Sequence, residues 1–428
     1  MKLHRLALLL CLATLFLGQK AQAWNETDHQ QITRLALEQV SVAWNLNKPV
    51  PVKPLSSFLQ KLSRWGVWGG ESGFAPHFEP QHPALPVQGG LDTWHFSNYL
   101  KVNPKIDLNL SAPEALGKKT LTPVEILTLY SIDPDDGRDR DLFVRDEKGR
   151  PQYAYPDQKW FGIVQGRDSQ AFRHIEKTPF NIHHPISTFG LPFRAVGEST
   201  ERAEIYFQLA LLAKNLGEDY WAWRFLAGSL HYLEDLHQPY HAGQVTPELV
   251  GKGIAAHFQW GHQLYGWLGI KQTIAHLVSN SHRFFENYLA HPAAQDEELK
   301  KTVLEAVEGT DLLTFEGSTQ QLAQQVRDQS NLFLPDLIQA VTDISNPILR
   351  GPYDFDAGGT NTDSPEKFIQ KGPHYSEART KFFDIARNRF QSNGRVIRTV
   401  IKKWQQTPSQ KPEELLQQLD TLLYPTSS

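Results

Sequence analysis

The sequence contains one cysteine, Cys11, among its 428 residues, and it has no long apolar run after residue 23. A single cysteine excludes a framework of disulfides within the chain. The lack of a later apolar run argues against a membrane-spanning helix there, because about 20 consecutive apolar residues are needed to cross a bilayer. A formal net charge of −4 gives no overall attraction to nucleic acid or to anionic lipid. We find no internal repeat.

The first 23 residues have the pattern of a secretory signal peptide. They show a basic start over residues 2–5, an apolar run over residues 6–17 and a small-x-small sequence at residues 21–23. Cleavage there would leave Trp24 as the new N-terminus and would remove the cysteine. We therefore expect a secreted protein, periplasmic or extracellular, that has no disulfide. Such a chain must gain stability elsewhere, and bound metal would be suitable.

Residues 231–241 carry three potential metal ligands in the pattern His-x3-Asp-x5-His. The segment before them favours a helix, which Pro239 is expected to end. His231 and Asp235 are four residues apart, so they lie on one face of that helix and can reach one cation. His241 follows the helix and is free to reach a second cation. Imidazole and carboxylate are the ligands that zinc takes in hydrolytic sites.

A second part of the pattern lies at the start of the mature chain. Trp24 would offer its free amine and its carbonyl to a metal, and His29 follows on a segment with helical periodicity. With these two residues, residues 24–37 and 224–243 resemble the zinc-dependent phospholipase C and S1–P1 nuclease family. The resemblance covers about half of the chain. It implies an all-α fold, a bundle of several helices, with long loops over the metal site at about residues 43–198.

The resemblance also implies two or three zinc ions and assigns their ligands. Trp24, His29 and one oxygen of Asp235 would hold one zinc. His231 and Asp235 would help to hold a second, with Asp235 bridging the two. His241 would begin the third site. These roles make Asp235, His231 and His241 the expected catalytic residues.

The remaining ligands of the second zinc have two alternatives. Counted forward from the N-terminal tryptophan, the family spacing gives Glu79 and His95. Counted back from the central cluster, it gives His174, with Asp135 or Asp139 as the carboxylate. We favour the second set, because its aspartates lie on a tight turn that would present them rigidly. Without the family pattern, the same acidic run is a solvated turn or a weak calcium loop.

The third site departs from the family pattern, which has His-x3-Glu or His-x3-Asp. Here His257 and His262 are each followed four residues later by a glycine, Gly261 and Gly266. Either both histidines join His241 in an all-imidazole site, which requires a kinked helix, or only His262 binds. In the second case the third zinc is weak or exchangeable.

Helical periodicity continues through most of the chain, and it divides the mature protein into two parts. Residues 24–347 form the expected zinc-dependent phosphodiesterase domain. Residues 348–428 form a loop and a C-terminal helical extension. The extension is basic, which favours an amphipathic helix with a solvated basic face over a surface for lipid head groups. Helical segments are predicted at residues 30–42, 199–216, 220–236, 264–277, 299–306, 320–334 and 376–404.

The resemblance implies phosphodiester hydrolysis by a metal-bound hydroxide. Any separate general base would come from Glu79, Asp92, Asp135 or Asp139. The continuation after Pro239 and the lack of disulfides favour a phospholipase C that acts on phosphatidylcholine or related lipids at a membrane surface, with no stable nucleic-acid partner. The alternative is a secreted nuclease with 3′-nucleotidase activity. A non-catalytic zinc-binding or lipid-binding protein is a more distant alternative.

Overall fold

The computed structural model describes residues 26–53, 57–58, 61, 119–135, 158–160, 163–165, 174–176, 198–243, 246–259, 267–290, 292–345 and 368–423. Over these residues the protein is all-α. The strands are short: Val50–Pro51 (β1) pairs with Thr120–Leu121 (β2), and Gln158–Trp160 (β3) pairs with Ile163–Gln165 (β4), both antiparallel.

The first of the described helices are α4, which carries the His-x3-Asp pattern, and its neighbours. Their bounds are Glu26–Glu38 (α1), Pro123–Tyr130 (α2), Ser199–Asn215 (α3), Asp219–His237 (α4) and Pro239–Ala242 (α5). The later helices are Pro247–Gln259 (α6), Trp267–Ala290 (α7), Glu297–Glu305 (α8), Thr319–Ile344 (α9), Tyr375–Gln406 (α10) and Pro412–Leu423 (α11). None of the described helices combines the length and the apolar character needed to cross a bilayer.

Local sequence signals explain where several helices begin and end. The hydroxyl of Thr122 accepts the backbone N–H of Glu125, and the Glu125 carboxylate accepts that of Thr122, a capping box that starts α2. The hydroxyl of Ser318 begins α9 in the same way. Gly217 separates α3 from α4 with a φ of 68°, a left-handed conformation that glycine adopts without strain. Pro239 starts a short new helix after α4 ends.

Helix α4 is the centre of the fold. It packs against α3 as an antiparallel hairpin, and it also contacts α1, α2, α9 and α10. The hairpin is closely packed at Gly228, where an added Cβ would lie 2.5 Å from the ring of Tyr206. Residues of α4 from Tyr220 to His237 are all buried. A helix buried on every side can present polar residues only to other buried polar groups.

The long helix α10, near the C-terminus, belongs to the same core as α1. It contacts α1, α4, α8 and α9, and its apolar side chains share one cluster with those of α1 and α4. Although sequence analysis set residues 348–428 apart as an extension, the structure places α10 against the helix that carries the His-x3-Asp pattern.

The basic residues of α10 are divided between the interior and the surface. The guanidinium of Arg398 is buried, and it donates to the carbonyls of Ala36 and Val307 and to Asp311. Lys381 and Arg387 are exposed but pair with Asp336 and Asp384 at 2.7 Å each. The expectation of a solvated basic face therefore holds for only part of this helix, because its long side chains also tie neighbouring segments together.

Candidate metal centre

Helix α4 brings the predicted ligands His231 and Asp235 to a fully buried position. His174, which precedes α3 by a long stretch of sequence, lies against both of them. Its Nδ1 atom is 2.9 Å from Nε2 of His231 and 2.9 Å from Oδ2 of Asp235. Nε2 of His231 is 3.4 Å from the same carboxylate oxygen. Three potential ligand atoms therefore converge on one point.

Asp135 and His29 complete this first group. Oδ1 of Asp135 lies 3.6 Å from Nδ1 of His174, and its Oδ2 lies 3.7 Å from Nε2 of His29. Nε2 of His29 is 3.5 Å from Oδ1 of Asp235. Asp235 thus directs one oxygen toward His174 and His231 and the other toward His29. This is the arrangement expected of a carboxylate between two cations.

The outer nitrogen of each of three histidines is held by an acceptor. Nδ1 of His231 donates to the carbonyl of Ser131 at 2.6 Å, and Nδ1 of His241 donates to the carbonyl of His174 at 2.5 Å. Nδ1 of His29 lies 2.5 Å from the carboxylate of Glu234. A proton held on Nδ1 leaves Nε2 as the ring atom that can bind a cation. The Nε2 atoms of His29 and His231 face Asp235, and that of His241 faces His282.

The turn that presents Asp135 is fixed to α4 at two points. Ser131, just after α2, accepts the hydrogen bond from His231. Two residues later, Asp133 accepts a hydrogen bond from Nε of Arg224 at 2.8 Å. Arg224 lies two turns before His231 on α4, and its guanidinium is 3.9 Å above the ring of Tyr130. The helix that supplies two ligands therefore also orients the turn that supplies a third.

A second group forms around His241, and it contains two residues that sequence analysis missed. Nε2 of His241 lies 2.9 Å from Nε2 of His282, which is 2.5 Å from Oε1 of Glu286. Both new residues lie on α7, four apart, so that they share one face. The signal was present in the sequence as His-x3-Glu, which is the pattern that had been sought only around His257 and His262.

The two groups adjoin each other. The Nδ1 proton of His241 is donated to the carbonyl of His174, and the N–H of Glu176 donates to the carbonyl of His241 at 2.9 Å. The backbone of residues 174–176 therefore lies between the first group and the second. A change that displaces this segment would move ligands of both.

Burial and mutual charge shift the titration of these side chains. Burial raises the pKa of Asp135 to about 6, although the neighbouring imidazoles oppose the shift. Burial alone would also raise the pKa of Asp235, but the imidazoles of His231 and His174 hold it well below its usual range. In the second group, burial lowers the pKa of His241 and of His282 to about 3. Burial alone would lower the pKa of His29, but Asp235 and Glu234 hold it well above its usual range, and burial raises the pKa of Glu286. A cation would displace protons from these two groups, because neutral imidazole and ionised carboxylate are the forms that bind metal.

The residues fit a divalent cation. Among the described residues, Nε2 of His29 and Oδ1 of Asp235 are buried without a hydrogen-bond partner, and such atoms are costly unless something binds them. In each of three sets of three residues, the ligand atoms lie within 4.8 Å of one another. The edge of a tetrahedron of zinc ligands is about 3.3 Å, given zinc–nitrogen bonds of about 2.0 Å. The sets are His29, Asp135 and His231; His174, His231 and Asp235; and His241, His282 and Glu286.

Several predicted ligands lie outside the described residues. These are Trp24, Asp139 and His262, together with the alternatives Glu79, Asp92 and His95. His257 lies on α6, but its side chain is also outside the described part. Of the two proposed completions of the second zinc site, the structure thus brings His174 and Asp135 to the central cluster.

His237 ends α4 outside the ligand set, and it is fully buried. Its Nδ1 donates to the carbonyl of Leu233 at 2.7 Å, and its Nε2 lies 3.2 Å from the hydroxyl of Ser392 on α10. Burial lowers its pKa to about 3. This histidine joins α4 to α10.

Comparison of the chain with protein-family models, with curated proteins and with solved structures finds no match.

Proposed function

We propose that this protein is an exported, zinc-dependent phosphodiester hydrolase related to the phospholipase C and S1–P1 nuclease family. The observation that carries the proposal is the geometry of Asp235. Its two oxygens face two separate sets of imidazoles, His174 with His231 and, on the other side, His29. The adjoining group at His241 supplies a place for a third cation. Closely spaced cations suit a substrate that carries a phosphodiester.

Divalent cations bound here would neutralise the charge of a phosphodiester and would lower the pKa of water toward neutrality. The chain's own residues set up that chemistry. The hydrogen bonds at Ser131, Glu234 and His174 hold three imidazoles in the form that binds metal. Asp135 and Asp235 add two negative charges, and their burial keeps bulk water from competing for the cations.

We propose a phospholipid such as phosphatidylcholine as the substrate, with diacylglycerol and a phosphorylated head group as products. The support comes from the sequence. The continuation Tyr240-His241-Ala242-Gly243 is closer to the phospholipase branch of the family, and no cysteine follows Cys11. A signal peptide over residues 1–23 would place the enzyme in the periplasm or outside the cell. Cleavage before Trp24 would create the N-terminus that the family uses as a ligand.

The test is turnover by purified protein that begins at Trp24. Phosphatidylcholine vesicles and single-stranded DNA are assayed side by side, with elemental analysis of the same sample. We expect lipid hydrolysis that a chelator abolishes and zinc restores, with at least two zinc ions per chain. Release of nucleotides without lipid cleavage would assign the protein to the nuclease branch. Bound zinc with neither activity would overturn the hydrolase proposal and favour a binding protein.

A further inference from the structure

Glu234 is a fully buried carboxylate beside the metal centre, but it does not face the centre. It precedes Asp235 on α4, and it points toward α1. Its Oε2 atom lies 2.5 Å from Nδ1 of His29, and its Oε1 atom accepts the hydroxyl of Thr33 at 2.6 Å. His29 and Thr33 are four residues apart and so share one face of α1. Both oxygens of Glu234 are therefore used to hold that face.

These two contacts determine how His29 meets the cluster. The bond from Glu234 fixes the ring angle and keeps a proton on Nδ1, so the lone pair of Nε2 points to Asp235, 3.5 Å away. The bond from Thr33 fixes the second oxygen and with it the rotamer of Glu234. A carboxylate in this position also makes the imidazole a stronger donor to a metal, because it stabilises the positive charge that the ring acquires.

The three inward-pointing histidines differ in the charge of their outer acceptors. His231 and His241 donate to neutral backbone carbonyls, those of Ser131 and His174. His29 alone among these three has an ionisable acceptor. The first group also contains two carboxylates, Asp135 and Asp235, and Glu234 is a third beside it. Among the described residues the second group contains Glu286, with the buried Asp28 close enough to act on its charge. The larger negative charge therefore lies on the side of His29.

We propose that Glu234 is a positioning residue that fixes His29 and makes the cation site shared by His29 and Asp235 fill before the site at His241, His282 and Glu286. The proposal rests on metal binding by the proposed hydrolase, but not on its substrate. Glu234 touches neither a cation nor a substrate, and it acts through the ring of His29. Loss of an outer partner of this kind costs roughly 10-fold to 100-fold in metal affinity.

The test is zinc binding by metal-depleted protein that begins at Trp24, measured by competition with a chelating dye. The wild-type protein is compared with Glu234→Gln and with His282→Ala, which lacks the second group. Glutamine has the same shape as glutamate and can still accept the Nδ1 proton, so the change removes mainly the charge. We expect Glu234→Gln to weaken zinc binding at the site of His29 and Asp235 about 10-fold or more. It should leave the zinc at His241, His282 and Glu286 unchanged, and it should act equally in the His282→Ala background.

Glu218→Gln is the matched control, because Glu218 is a second buried glutamate next to the same helix but far from any ligand. It should leave the zinc affinities unchanged. Nitrogen NMR of the histidine rings gives a readout that a general loss of packing would not reproduce. In the wild-type protein His29 should carry its proton on Nδ1, and Glu234→Asp should restore part of the zinc affinity.

The proposal is overturned if folded Glu234→Gln binds every zinc with wild-type affinity. It is also overturned if zinc affinity at the His241 site falls together with that at the site of His29 and Asp235. Filling of the His241 site first in the wild-type protein would also overturn it. None of these results depends on turnover. A protein that hydrolyses neither lipid nor nucleic acid would refute the proposed function and leave this one standing.

Discussion

The Nε2 atoms of His241 and His282 lie 2.9 Å apart, and the second of them lies 2.5 Å from Oε1 of Glu286. His241 has its proton on Nδ1, where it donates to the carbonyl of His174. The three inward-facing atoms can be this close only if one proton or one cation is shared among them. A zinc ion bound here would take the place of that proton, so we expect acid to release zinc from the second group.

Replacement of His282 by alanine should remove one zinc per chain. The variant keeps the first group intact, so the zinc bound there should stay with unchanged affinity. Elemental analysis after dialysis measures both. His374→Ala is the control, because His374 is exposed at the start of α10 and touches neither group. An unchanged zinc content in His282→Ala would show that the second group does not bind metal.

His231 and His237 lie six residues apart on α4 and should respond differently to alanine. His231→Ala should release zinc and abolish turnover. The loss of activity should exceed the roughly 100-fold that removal of a ligand's hydrogen-bond partner costs. His237→Ala should retain zinc but lower the free energy of unfolding by about 1–3 kcal/mol, because it removes the side-chain hydrogen bonds to Leu233 and Ser392 and opens a cavity. Zinc content and urea denaturation of both variants separate the two roles. Zinc loss in His237→Ala would contradict this division.

Alanine at Gly394 should destabilise the protein, although alanine favours helices more than glycine does by about 1 kcal/mol. A Cβ at Gly394 would lie 2.0 Å from the carbonyl oxygen of Val307, and backbone atoms cannot move aside as a flexible side chain can. We expect a loss of about 1–3 kcal/mol in the free energy of unfolding.

Gly251→Ala provides the opposite case for comparison. Gly251 lies in α6 with no atom within 4 Å of an added Cβ, so alanine there should stabilise the protein by about 0.5–1 kcal/mol. Denaturation of both variants in urea gives the two signs. Equal effects at the two positions would exclude close packing of α10 against Val307 as the cause.

Glu218 should contribute stability that acid removes. Burial alone would raise its pKa, but hydrogen bonds from Lys61, Ser57 and Lys53 hold the pKa below its ordinary value of 4.5. The lower pKa belongs to the folded state, so the contribution is complete above 4.5 and is lost as the pH falls through the folded value.

Glu218→Gln measures that contribution. At neutral pH we expect a loss on the order of 1 kcal/mol, since Lys61 and Lys53 are each about one-third exposed and the ion pairs are partly screened. The difference between the variant and the wild-type protein should shrink as the pH falls below the ordinary range of glutamate. A difference that is constant from neutral pH to acid would show that charge is not its source.

The sequence predicted the part of the site that lies on a single helix, α4. His231 and Asp235 are four residues apart, and helical geometry alone puts them together. Helices α3, α4 and α10 were also expected near their observed bounds, because each carries a long helical pattern. Helix α9 was predicted to end at residue 334, but it continues through Pro335 to Ile344. His174 and Asp135 were reachable through chain spacing and through the chemistry of an acidic turn, but only as one of two alternatives.

The residues of the second group show where sequence reasoning ended. The histidines nearest to His241 in the chain, His257 and His262, drew attention away from His282 and Glu286. Separation along the chain does not give separation in space, and the fold brings α7 back against His241. The His-x3-Glu pattern on α7 is an ordinary surface pattern until tertiary packing brings it against His241. Likewise, the basic residues of α10 could not be assigned to internal carbonyls before the packing was known.

The guanidinium of Arg398 reaches the carbonyl of Ala36 across 362 positions of sequence, at 3.4 Å. Helix α1 carries His29, and it lies against α10. In a chain that is made from its N-terminus, His29 is therefore present long before α10 is available to hold α1. Such distant contacts form late, because a large loop must close first. Assembly of the candidate metal centre would in this way depend on α10, and a cation would be captured only when folding is nearly finished.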